Sequence, residues 1–229
     1  VDGDLLGHTT HGLALLARTL FSAVHGVVSL GLEEKLGVVP LPTLRAQAAE
    51  LVSAIGHGAM LPVRYILDTG SADGVIISRI EPDDPRVRLL TERGMPFATH
   101  GRTDAGLTHP FHDFNNEAFA HQAVERLVKR GRRRIALLQP PSKLTYYAHI
   151  RIGFQTGLHD YGAEEVPLRV NSDAPLADIR DVVEVMMRSP NAPDGIVCSA
   201  GSAAIAVNAG IEAAGKALGR DLDMVSKQS

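Results

Sequence analysis

His109 and His112 stand three residues apart, as do His8 and His11, and imidazoles at that spacing on one helical turn can share a metal ion. Neither pair has a third ligand set by spacing. His8 and His11 precede the first expected helical turn, and Pro110 interrupts the other pair, so solvated loop positions are the plainer account of both. His25 lies within an apolar stripe and reads as a packed helix residue at an interface. The single cysteine, Cys198, sits in the apolar run Gly195-Ile196-Val197-Cys198. One thiol permits neither a disulfide nor a cysteine zinc site within one chain, which suits a reducing cytoplasm, and a strand cysteine is a packing residue before it is a nucleophile. The chain carries no GxSxG elbow, no GxxxxGK[ST] loop and no HExxH pair, and the glycines of Gly195 to Gly201 do not follow GxGxxG order. The expectation is a binding protein, not an enzyme, with no metal and no cofactor.

Charge points the same way. The formal net charge is −3, so no basic field covers the protein to attract nucleic acid. The one basic run, Lys129-Arg130-Gly131-Arg132-Arg133-Arg134, falls where a helix ends before a strand, and cations there complement the helix C-terminus. It has no interleaved aromatics of the kind that grip single strands. No apolar run reaches the ~18 residues that span a bilayer, and no basic segment precedes an apolar core at the start. The expected location is the cytoplasm, with no membrane partner.

The elements that position these groups fall into two blocks. Residues 8 to 36 place Leu13, Leu16, Leu20, Val24, Val27, Val28 and Leu32 at helical spacing, which predicts a long, largely buried helix. Pro40 and Pro42 break it, and Thr43 can cap a second helix from Leu44 to about Ile55. Two amphipathic helices bury too little alone, so a four-helix dimer interface is their natural partner.

From residue 59 the pattern changes to strands alternating with helices of 10 to 16 residues, which predicts parallel sheets with right-handed crossovers. A short helix spans Met60 to Leu67. Strands are expected at 74–78, 96–100, 134–138, 166–170, 195–199 and from 221. Helices are expected at 85–93, 117–130 with Asn116 as N-cap, 146–161 stopped by Gly162, 176–188 and 202–218. Glu81, Asp83 and Asp84 form an acidic loop suited to capping the helix that begins at Pro85. Ligands of such sheets bind beyond the carboxyl ends of the strands.

Two resemblances refine this. LLARTLFSAVHGVVSLGLEEKLG and TLRAQAAELVSAIGHG resemble the dimer-forming C-terminal helices of TetR-type regulators, over about a quarter of the chain. The helix-turn-helix of that family has no counterpart here, so no DNA contact carries over from it. ADGVIISRIEPDDPRVRLLTERGMPFATHGRTD, HDFNNEAFAHQAVERLVKRGRRRIALLQPP and YAHIRIGFQTGLHDYG together resemble the effector-binding core of LacI/GalR-type transcription regulators. The domain division that follows is 1–58 for the TetR-like helices and 59–229 for a truncated LacI/GalR-type effector domain. The implied fold is α/β: two periplasmic-binding-protein-like lobes of parallel sheet with flanking helices, incomplete at both ends, behind an N-terminal helical pair.

That resemblance implies a transcription regulator's sugar-sensing and dimerising part. Operator DNA would be reached only through a DNA-binding domain absent from this chain. A carbohydrate-binding receptor, or a dimerisation module without effector, stands as the alternative. Carried over by position, the cleft would be lined by His100 and Arg102, by Asp113 before the crossover helix, by Tyr147, His149 and Arg151 early in the next helix, and by Ser199. Arginine offers a planar donor fork for hydroxyls or acids, and histidine donates or accepts. Ser199 stands where the family commonly has Asn, and Lys227-Gln228 replace an aromatic-Asp-Asp word, so sugar specificity is not inherited.

Overall fold

A computed structural model describes residues 60–227. The TetR-like helices expected within residues 1–58 lie outside the described residues, as do His8, His11 and His25. The chain divides into two compact units between Asp68 and Thr69. Helix α1, Met60–Thr69, belongs almost wholly to the first unit.

The second unit carries two parallel sheets. The first lobe contains β1 (Val75–Ser78), β2 (Phe97–His100) and β3 (Phe111–His112), in the order β1-β2-β3, with helix α2 (Pro85–Glu92) between β1 and β2. Burial of Val87 and Leu90 at no exposure fixes the inward stripe of α2. Asp84 starts this helix: its Oδ1 accepts the Arg86 backbone N–H at 2.9 Å, with Pro85 supplying the preset first turn. Of the three acidic residues in that loop, Asp84 is the cap.

The sequence predicts loop where β3 forms. Two residues after Pro110 are too few for a periodic signal, yet Thr99 pairs with Phe111 and His100 with His112 in register. The chain then crosses through Asp113 to Asn116 into the second lobe.

That lobe contains α3 (Asn116–Lys129), β4 (Arg134–Leu138), α4 (Thr145–Tyr161), β5 (Glu164–Val166), α5 (Leu176–Met187), β6 (Gly195–Cys198), α6 (Gly201–Ala213) and β7 (Asp223–Ser226). All four strands run parallel in the order β5-β4-β6-β7. Alternation along β4 divides the core into two layers: Ile135 and Leu137 pack with Val124, Leu127, Ile150 and Phe154 from α3 and α4. Ala136 and Leu138 face Ile179, Val183, Val207 and Ile211 from α5 and α6. Burial on both faces is why these strands read as unbroken apolar runs.

Several boundaries differ from the sequence reading. Asn115, not Asn116, caps α3, its Oδ1 accepting from the Ala118 N–H at 2.9 Å. The fifth strand is Glu164–Val166 and not residues 166–170, because it follows directly from Gly162, whose φ of 61° ends α4 in the left-handed conformation. The Ala-rich helix α6 ends at Ala213 before the turn at Gly215, five residues short of Leu218. The basic run is occupied by local pairing: Lys129 meets Glu125, while Arg130 and Arg132 both reach Asp223.

Candidate functional site

Strands β1 and β2 of one lobe and β6 and β7 of the other end around one cavity of about 270 Å³. A parallel sheet aims its carboxyl ends in one direction, so loops of both lobes converge there. Those loops bring Ser78, Arg79, His100, Arg102, Ser199 and Lys227 to the wall. Asp113, Phe114 and Asn116 enter from the crossover, and Thr145 and Tyr146 from the first turn of α4.

The lobes are tied directly across this cavity. The Thr145 backbone N–H and hydroxyl both donate to the Ile80 carbonyl, and Arg79 forms an ion pair with Asp173. Lys143 and Glu81 add a looser contact at 3.6 Å. Arg79 holds φ 58°, the one non-glycine positive φ among the described residues, and such backbone costs on the order of 1–3 kcal/mol unless its surroundings impose it. Here the strand end is gripped by Arg86, whose guanidinium donates to the carbonyls of Ser78 and Arg79 at 3.0 Å each.

Asp113 is the hub of the crossover. Its Oδ1 accepts from the Phe114 N–H at 2.8 Å and the Asn116 amide at 3.2 Å, and Oδ2 lies 3.5 Å from Arg102 Nε. The Asn116 amide oxygen accepts from Lys227 Nζ at 2.8 Å, and that ammonium lies 4.3 Å from the Phe114 ring centre and 5.4 Å from that of Tyr146. Burial pulls the Lys227 pKa down, opposed by the Asp113 charge. Burial also pushes the Tyr146 hydroxyl up to about 12, so it stays a neutral donor and acceptor. Ser199 Oγ is buried with no hydrogen-bond partner. The wall therefore offers donors, one acceptor carboxylate and two aromatic faces, a set that binds polyhydroxylated or otherwise oxygen-rich molecules.

Of the residues nominated from sequence, His100, Arg102, Asp113 and Ser199 meet at this cavity. Tyr147, His149 and Arg151 are not among its lining residues. At about 100° per residue, Tyr147 and Arg151 are turned away from the face that presents Thr145 and Tyr146, whereas His149 shares the Thr145 face but sits one turn, about 6 Å, further along the helix. Arg151 instead makes a two-pronged pair with Glu165, Nη1 to Oε1 at 2.6 Å and Nη2 to Oε2 at 2.8 Å. His149 keeps a buried Nδ1 without a partner. Sequence reasoning missed Phe114, Asn116, Tyr146 and Lys227. The signals are in the sequence, since Asn116 follows Asp113-Phe114-Asn115, and Lys227 belongs to the Lys227-Gln228 pair that stands in place of an aromatic-Asp-Asp word. His109 and His112 form no metal cluster: His109 bonds Thr99 Oγ1 and the Leu107 carbonyl, and the described residues contain no group of three metal-ligating side chains.

Comparisons with known proteins agree with this architecture. The family described as periplasmic binding proteins and sugar binding domain of LacI family matches residues 57–226. The HTH-type transcriptional regulator AglR of Rhizobium meliloti is 28% identical over 166 residues, covering 71% of this chain and 46% of that protein. The HTH-type transcriptional regulator RafR of Escherichia coli is 33% identical over 132 residues, covering 58% of this chain and 39% of its own length. The chain thus spans less than half the length of these curated relatives. A crystal structure of a LacI-family regulatory protein from Chloroflexus aggregans superposes with a TM-score of 0.63 at 24% identity, over 74% of this chain and 61% of that one, and shares the fold.

Proposed function

We propose, from the premise that the chain belongs to the family of periplasmic binding proteins and LacI-type sugar-binding domains, that it is the effector-sensing part of a transcription regulator. The observation that carries this reading is the cavity itself. Oxygen-seeking side chains from both lobes converge on one space, so a single small molecule touches both lobes at once. His100, Arg102, Asp113 and Ser199 are its proposed contacts, and a sugar or sugar derivative is its proposed effector.

A ligand that bridges two lobes favours the arrangement in which both sets of contacts are made, and shifts the population toward it. In a regulator that shift alters the spacing of two joined copies. We therefore take a homodimer, held by the TetR-like segment within residues 1–58, as the working assembly in the cytoplasm. Operator DNA is a partner of the whole regulator, reached through a separate DNA-binding element. Sedimentation of a chain lacking residues 1–58 tests the dimer, and an unchanged dimer would remove that role from the helices.

The effector reading is tested by thermal shift of the full chain with sugars, sugar phosphates and polyols at millimolar concentration. A saturable rise in Tm for at least one compound is expected, because binding to the folded state alone stabilises it. Arg102→Ala should diminish that rise. No rise with any of them would overturn the reading.

A further inference from the structure

Lys227 and Ser199 follow the last paired positions of β7 and β6, where Cys198 and Ser226 stand in register and the Lys227 N–H donates to the Cys198 carbonyl at 3.0 Å. Both line the cavity, and each has bonding capacity that the described residues leave unused. An ammonium has three donors. One goes to the Asn116 amide oxygen, and the aromatic faces of Phe114 and Tyr146 flank the group. Among the described residues no carboxylate lies within ion-pair distance of it, whereas Arg79 and Arg102 of the same wall are matched by Asp173 and Asp113. Ser199 is 4% exposed, and its hydroxyl has no partner.

A half-buried cation whose balancing charge, Asp113, acts from beyond contact distance and is shared with Arg102, and a buried hydroxyl without a bond, both cost stability. Found side by side at the wall of a cavity, they are explained together by a group that the bound molecule brings. We propose that Lys227 and Ser199 form a subsite that receives one acceptor oxygen of the effector, a hydroxyl or an acidic substituent on a sugar, and that Lys227 is a specificity-determining residue. The proposal rests on the cavity being the effector site. Lys227 then serves binding at the expense of the unliganded fold, with Asn116 and the two rings holding the ammonium in position beforehand.

The test compares the unaltered full chain with Lys227→Met and Ser199→Ala. Binding of glucose, galactose, maltose, cellobiose, melibiose and sucrose, together with glucuronate and galacturonate, is measured by calorimetry, alongside Tm without ligand. Lys227→Met should weaken the best-bound sugar about tenfold or more, the scale of a lost charge-assisted hydrogen bond, and Ser199→Ala several-fold. The Lys227→Met Tm without ligand should equal or exceed that of the unaltered chain. A uronate binding more tightly than its neutral parent identifies the acceptor as an acid, and the reverse identifies it as a hydroxyl. A Lys227→Met variant with lower Tm and undiminished affinity would overturn the proposal, leaving the lysine a structural pin for Asn116. Binding by neither the unaltered chain nor the variant would remove the cavity reading beneath it, whereas equal binding by both would remove only the role of Lys227.

Discussion

Thr145 bonds the Ile80 carbonyl twice, through its backbone N–H at 2.9 Å and its hydroxyl at 3.1 Å, joining the first turn of α4 in one lobe to the loop after β1 in the other. Thr145→Val keeps the branched shape and the backbone bond but loses the hydroxyl, which is 3% exposed with its residue. The expected cost is about 1 kcal/mol, one neutral hydrogen bond, read by urea denaturation. A loss above about 3 kcal/mol would mean the hydroxyl does more than bridge this carbonyl.

Asp84 and Arg86 form a buried pair at 1% and 6% residue exposure, with Nη2 to Oδ2 at 2.7 Å. Burial pushes the Asp84 carboxyl up, but the Arg86 guanidinium and the backbone donors of Glu81 and Arg86 outweigh it, and its pKa is lowered. A carboxyl lowered on folding stabilises fully above its unfolded pKa of about 3.9 and loses that contribution as pH falls through its folded value. Asp84→Asn should cost about 3–5 kcal/mol at neutral pH, because it strands the Arg86 charge, and should flatten the decline in stability below about pH 4. Denaturant titrations at a series of pH values check both.

Gly153 lets α4 approach α3 so closely that a Cβ there would lie 2.1 Å from the Glu117 carbonyl oxygen. Backbone cannot yield as a side-chain tip does, so Gly153→Ala should destabilise by about 3 kcal/mol despite alanine's better helix propensity. Thermal unfolding beside Gly131→Ala, whose φ of 86° carries strain but whose Cβ meets nothing, separates crowding from backbone effects.

Arg151→Ala should leave sugar affinity within about twofold and cost less than about 1 kcal/mol, since its pair with Glu165 is partly exposed and outside the cavity wall. Calorimetry on this variant and on Arg102→Ala distinguishes the helix arginine from the cleft arginine. A tenfold loss for Arg151→Ala would return that residue to the site.

Cys198 is fully buried, and burial pushes its thiol up to about 12. The native protein should therefore resist a thiol-specific reagent at neutral pH, and react with one equivalent per chain on unfolding. Rapid labelling of the native state would contradict its place in the core.

Most strands and helices were legible because their signals are local. Val87 and Leu90 recur at helical spacing, Gly162 supplies a left-handed stop, and β4 and β6 are short apolar runs buried on both faces. Strand β3 was illegible because two residues carry no period, and their pairing depends on β2 rather than on themselves. The candidate site divides in the same way: Arg102 and Asp113 follow from the positions that the family resemblance implies, whereas Lys227 acquires its surroundings from Asn116 and Phe114, more than a hundred positions away.

By itself, then, the sequence determined the alternation of strand and helix, and through it parallel sheets with loops gathered at their carboxyl ends. Only the tertiary structure decided which side chains those loops aim into a common space. The rotation of α4 turned Tyr146 to the wall, and the packing of α3 against β7 within the second lobe set Lys227 against Asn116. The reason is physical: periodicity and capping act over a few residues, while a cavity is a relation among segments that meet only after the chain has packed.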